Sequence, residues 1–219
     1  MKDIAYELYL EVFQNEKEAI SFSRIIFLLN NQRNLRTSRF VNADLDSIDT
    51  IKKLATLFRN GRQLKQPSLS KSPNDLAIHI IAETWFSVPT SDIKNFFDYH
   101  KQSMSAENII GTYLEAYIDS VLFDQGWIWC SGSIVNKVDF VKINKKGGIK
   151  YLQIKCRDNT ENSSSQAVRN GTQIEKWFRL YSKTGRTNWQ KFPDSNARLL
   201  LNENDFLNFL KMKLKKHLL

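Results

Sequence analysis

Between Val138 and Lys155 the chain reads VDFVKI, NKKGG and IKYLQIK, two β-type runs around a basic Gly-Gly turn. Gly-Gly between two such runs is a hairpin signal. Side chains of a strand alternate faces, so Gln153 and Lys155 share one side, and Asp139 comes beside them once the runs pair. Asp139 stands among Val138, Phe140 and Val141, where a lone carboxylate is costly unless it meets a cation. Lys155 ends an apolar run through Tyr151, Leu152 and Ile154 and needs a partner for the same reason. An acid, a second oxygen donor and a lysine at one sheet edge suit metal-dependent phosphodiester cleavage. Asp139, Gln153 and the Ile154 carbonyl would hold a hard divalent cation. The cation would activate water and offset charge on phosphorus, while Lys155 orients the water or neutralises the phosphate. The expectation is a DNA-cutting enzyme.

The charge distribution agrees. The chain of 219 residues has a formal net charge of +9, and the segment from Lys142 to Lys191 alone holds 12 basic residues against three acids. All of the excess therefore lies in the hairpin and the stretch after it, and Lys and Arg supply most of the affinity for phosphate. A solvated basic surface would look the same; its coincidence with the Asp-Gln-Lys hairpin argues for nucleic acid. The polar stretch RDNTENSSSQAVRNGT after Lys155 is long for a structureless connection. Its Arg157, Asp158, Asn159, Asn162, Ser163, Ser164, Arg169 and Asn170 are the types that read base edges and phosphates. Lys176, Arg179, Lys183 and Arg186 follow as expected phosphate contacts. No apolar run reaches the ~18 residues of a membrane span, and Lys2, Asp3 and Glu7 interrupt any leader pattern, so a cytoplasmic protein without membrane contact is expected. Cys130 and Cys156 have neither disulfide-framework nor zinc spacing.

Residues 1–103 read as a helical region, with apolar periodicity over 4–13, 16–29, 44–58, 75–86 and 92–99, suited to dimerisation or to gripping DNA. Residues 104–219 read as an α/β core. A helix stripe through Ile109, Tyr113, Tyr117, Ile118 and Leu122 ends at Gly126. Strands follow at 127–130, at Asp139 and at Gln153–Lys155. A helix over 173–181, a strand over 197–201 and a terminal helix over 205–219 complete the order, which gives a mixed central sheet flanked by helices. Glu115 lies beside the stripe, at helical spacing from Gly111, Ile118 and Leu122, and is the candidate fourth member of the site.

The aspartate strand followed by a strand ending in Gln-x-Lys resembles the PD-(D/E)xK nuclease superfamily, with Asp139 matching the strand aspartate and Gln153 and Lys155 the (D/E)xK pair. No proline precedes Asp139, and glutamine replaces the second acid. The runs WIWCSGSIVNKVDFV, LQIKCRDNTENSSSQAVRNGT and KWFRLYSKTGRTNW are similar to the SinI-type family of type II restriction endonucleases. That resemblance implies a PD-(D/E)xK nuclease core, Mg2+ as cofactor with no other small molecule, and double-stranded DNA with GGWCC-like targets as substrate. A symmetric site cut by one catalytic centre per chain implies a homodimer. A nuclease specific for structure or methylation, or a silent DNA-binding module of the same fold, are the other readings the residues allow.

Overall fold

A computed structural model describes residues 3–64, 66–69, 71–144, 148–158 and 173–215. By its contacts the chain forms two compact units, one containing residues up to 64 and from 114 onward, the other residues 65–113. The helices expected to stand apart in residues 1–103 therefore divide, those up to residue 64 joining the sheet.

In the larger unit, α1 (Ile4–Phe13), α2 (Glu16–Asn31) and α3 (Ile48–Arg62) begin at polar caps where the sequence supplies them. Asp3 accepts from the amides of Ala5 and Tyr6, and Asn15 from that of Glu18, which satisfies donors that a helix start leaves open. Tyr9, Phe22 and Phe58 meet with ring centroids 5.2–5.8 Å apart. This helical layer closes over Ile128, Cys130, Val138 and Val141 of the sheet region in one buried cluster, and burial of that kind contributes roughly 1.5–3 kcal/mol per large side chain.

The sheet holds four strands in the order β1 (Trp127–Trp129), β2 (Phe140–Ile143), β3 (Ile149–Arg157) and β4 (Ile174–Leu180). The β1/β2 and β2/β3 pairs are antiparallel and β3/β4 is parallel. The hairpin expected at 138–155 is thus present, with Phe140 opposite Leu152 and Ile143 opposite Ile149. An aromatic group of Trp127, Trp177, Trp189 and Phe192 packs together, with Trp177 and Trp189 centroids 5.0 Å apart. Tyr117 and Phe206 extend it.

Two sequence expectations are corrected. Residues 173–181 are not a helix: Ile174–Leu180 is a strand whose alternation buries Trp177 and Arg179 together. Its β-prone Ile, Trp and Phe and the neighbouring edge of β3 outweigh the helix reading. Residues 197–201 are not a strand, because Ser195–Arg198 forms a short helix, α6, capped by Asp194, and Leu199 and Leu200 face solvent. The terminal helix, α7, runs Glu203–Lys215.

In the smaller unit, α4 (Leu76–Phe86) is capped by Asp75, which accepts from the Ala77 amide at 2.9 Å. Ala82, Ile93 and Phe97 form its small core. Helix α5 (Ile93–Leu122) fuses the two helices expected over 92–99 and 105–122. Its residues from Leu114 onward belong to the larger unit. Among the described residues no helix is long and apolar enough to cross a membrane.

Candidate active site

Asp139 lies immediately before β2 enters the sheet, where β3 runs on past Leu152. Its amide donates to the Leu152 carbonyl at 3.0 Å, and its own carbonyl accepts from Cys130 at 2.8 Å. One step beyond the Phe140–Leu152 pair, Asp139 faces Gln153. There its side chain takes over from the ladder: Oδ2 accepts from the Ile154 amide at 2.7 Å. The carboxylate is thereby held between the residues that carry the Gln153 and Lys155 side chains. Burial raises its titration, opposed by the Ile154 amide and the Lys155 charge.

Gln153 is 9% exposed, and Lys155 is half-buried. In the parallel ladder Gln153 lies opposite Lys176 and Lys155 opposite Phe178, so β4 fixes the pair from the side away from Asp139. Glu115 enters from α5, its Oε2 accepting from Trp129 Nε1 at 2.7 Å. Burial first and then the Asp139 charge push its carboxyl up to about 7, against the pull of the Trp129 N–H and the Lys155 ammonium. Glu115, Asp139 and Lys155 thus share one electrostatic environment. Two buried acids that each resist ionisation form a place where a cation relieves the cost of both charges.

The groups that could hold a metal here are all oxygen donors: the Asp139 and Glu115 carboxylates, the Gln153 amide and the Ile154 carbonyl. Among the described residues no group of three or more His, Cys, Asp or Glu side chains stands ready to hold a metal ion. A donor set this small fits Mg2+, which keeps several waters and binds through one or two carboxylates together with substrate phosphate, in place of a protein-built cage. Cys130 and Cys156 are free thiols, and burial raises both above the usual thiol range, so neither is an activated nucleophile.

The sequence profile of the SinI restriction endonuclease family matches residues 13–216. The chain belongs to that family. Type II restriction enzyme SinI of Salmonella infantis is 39% identical over 180 residues, covering 82% of this chain and 78% of the relative. Type II restriction enzyme Eco47I of Escherichia coli is 41% identical over 167 residues, covering 76% and 73% respectively. This member of the SinI family is therefore a restriction endonuclease, and its four-stranded mixed sheet with flanking helices is the α/β architecture expected from the order of elements.

The basic segment of this SinI-family enzyme divides by exposure. Arg157, Lys183 and Arg186 face solvent, and Lys176 is half-buried. Arg179 is not a surface contact: it is 6% exposed, pairs with Glu203 and lies over the Phe206 ring at 4.9 Å. A strand's inward face accounts for this correction. Asp158 accepts from the Ser182 amide at 2.8 Å, tying the end of β3 to the turn after β4. Asn159, Asn162, Ser163, Ser164, Arg169 and Asn170 lie outside the described residues. Trp129 and Arg62 went unread at the level of sequence. The one available signal was that a buried indole needs a partner for its N–H.

Proposed function

We propose that this protein is a type II restriction endonuclease with a PD-(D/E)xK core that hydrolyses double-stranded DNA at a short specific sequence, using Mg2+. The carrying observation is the Asp139 carboxylate bound to the Ile154 amide at 2.7 Å, with the Gln153 and Lys155 residues on either side of that amide. In a strand the N–H and C=O of one residue leave by the same edge, so the Ile154 carbonyl is directed toward Asp139 as well. Asp139, Gln153 and the Ile154 carbonyl would hold the cation, and Glu115 would complete its surroundings. Bound Mg2+ would supply Lewis acidity at the scissile phosphate. Lys155, placed by β4, orients the attacking water and offsets charge on the phosphate oxygens. The buried flanks of the site exclude bulk water and strengthen both interactions.

Arg157, Lys176, Lys183 and Arg186 are the proposed DNA contacts within the described segment, together with Asn159, Asn162, Ser163, Ser164, Arg169 and Asn170. Asp158 is proposed to act by holding the turn at Ser182. The family resemblance supports a GGWCC-like target, and a symmetric target supports a homodimer working in the cytoplasm. The test is digestion of phage DNA with and without Mg2+, followed by sequencing of fragment ends. Discrete ends at one sequence, produced only with the cation, are expected. Lys155→Ala should lower cleavage at least ~10³-fold while binding of the same duplex stays within a few-fold. Undiminished Mg2+-dependent cutting by that variant removes this assignment of roles.

A further inference from the structure

Arg62 ends α3 where three elements converge. Its Nη1 donates to Asp119 Oδ2 of α5 at 2.8 Å and its Nη2 to the Trp129 carbonyl of β1 at 3.2 Å. The guanidinium lies over the rings of Phe58 and Trp129, 4.4 and 5.0 Å from their centroids. Its side chain is 7% exposed and that of Asp119 12%, so the pair meets mainly protein, with Arg62 Nε and Asp119 Oδ1 left without a hydrogen-bond partner among the described residues. Backbone packing fixes the junction: a Cβ on Gly61 would meet the Gly132 nitrogen at 2.1 Å, and one on Gly132 the Leu57 carbonyl at 2.2 Å. Ser131 Oγ also donates to the Phe58 carbonyl at 2.9 Å. The end of α3 and the segment after β1 therefore form one rigid contact.

Asp119 lies one helical turn beyond Glu115 on the same face of α5. Arg62 thus fixes at once the helix that carries Glu115 and the strand that carries Trp129, whose indole N–H grips Glu115 Oε2 at 2.7 Å. A glutamate has three side-chain torsions, and such a donor selects one orientation among several. We infer that Trp129, locked in place by Arg62, is a positioning residue for Glu115, holding one carboxylate oxygen so that the other serves the divalent cation beside Asp139. This rests on the reading of Glu115 as part of the cation's surroundings, and it makes α3 a buttress of the active site.

Trp129→Phe keeps the ring and removes the N–H. Cation affinity is read by calorimetric titration with Mg2+ and by the Mg2+ concentration giving half-maximal cleavage, with Tm and the KM for duplex measured alongside. Removal of a group that orients a ligand weakens metal affinity by about 10–100-fold, so both cation constants should weaken by that factor. KM for DNA should stay unchanged, and the rate should recover at saturating Mg2+. Arg62→Lys keeps the charge but loses the planar fork and the stack; it should move the same constants in the same direction, and it carries the test if Trp129→Phe does not fold. Unchanged cation constants in the folded variants, with only Tm lowered, overturn the inference and leave Trp129 a packing residue. A wild-type protein that takes up no Mg2+ in calorimetry even with a non-cleavable duplex bound, so that substrate phosphate is present, overturns the reading of Glu115 itself.

Discussion

Gln153 shows at a single residue how the site limits its own charge. It is 9% exposed and follows in the hairpin register from Asp139, which like Glu115 already has its ionisation opposed by burial. A third carboxylate there would add like charge in a poorly solvated place. Gln153→Glu should therefore cost on the order of 2–4 kcal/mol of stability in a chelator, with much of the loss recovered at saturating Mg2+ through preferential binding to the folded state. Thermal unfolding with chelator and with Mg2+ reads both. Equal Tm values in chelator would place residue 153 away from the acids. The register that brings Asp139 beside Gln153 and Lys155 was legible in the sequence because the two-residue period of paired strands puts Gln153 and Lys155 on one face. Glu115 was legible only as a position on a helix, because its partner Trp129 comes from a strand whose register with α5 no local pattern encodes. Arg179 was misread, since a basic residue among aromatics looks the same in sequence whether it meets DNA or a buried Glu203.

Among elements, the β1–β2 edge is tied to the C-terminal segment by one carboxylate. Asp194 Oδ2 accepts from Lys142 Nζ at 2.7 Å and from Trp127 Nε1 at 3.1 Å, while Oδ1 accepts from the Asn196 amide at 3.0 Å to cap α6. Burial opposes its ionisation, but the bonds from Lys142, Trp127 and the Ala197 amide outweigh this and lower the carboxyl to about 2. A carboxyl lowered on folding stabilises above its unfolded value near 4, and the contribution is lost as pH falls from about 4 toward about 2. Asp194→Asn should thus cost about 1–2 kcal/mol at pH 7, allowing for solvent screening at Lys142, and nearly nothing at pH 2. Denaturant unfolding at several pH values checks this; parallel acid profiles for the two proteins would show that Asp194 does not supply the dependence. The same region shows where element reading fails. ARLLL has the composition of a buried strand, yet the aspartate two residues before Asn196 starts a helix. The helix periods of residues 4–62 and the hairpin were plain, whereas β4 was hidden because Trp177 and Phe178 are adjacent and mask its alternation.

For the whole molecule, the sequence located the charge but not the grouping of its parts. Residues 1–103 were read as one region, although the helices up to residue 64 complete the core of the sheet and residues 65–113 form their own unit. Contacts between segments about 70 residues apart, such as Ser131 with Phe58, leave no local pattern. The structure then sorts the basic segment into groups that support the fold and groups that remain available. Beyond β4, a groove lined by Tyr181, Arg186, Gln190 and Lys191 carries two exposed cations, with the Lys191 ammonium 5.9 Å from the Tyr181 ring. The strand that leads into it lies beside Lys155, with Phe178 as the opposite residue. At ~3.3 Å per residue the turn begins roughly 10 Å from that row, a span of about three base pairs. Removing both charges in Arg186→Ala/Lys191→Ala should weaken binding to every duplex and lower the slope of log affinity against log salt by about 1.8, at ~0.9 per phosphate released. Hydrolysis at saturating protein should be unaffected. Arg179→Ala should behave oppositely, lowering Tm by leaving Glu203 with the Trp189 N–H but no cation while the salt slope stays at the wild-type value. A salt slope that falls with Arg179 and not with the groove pair would move the DNA-binding face away from this turn.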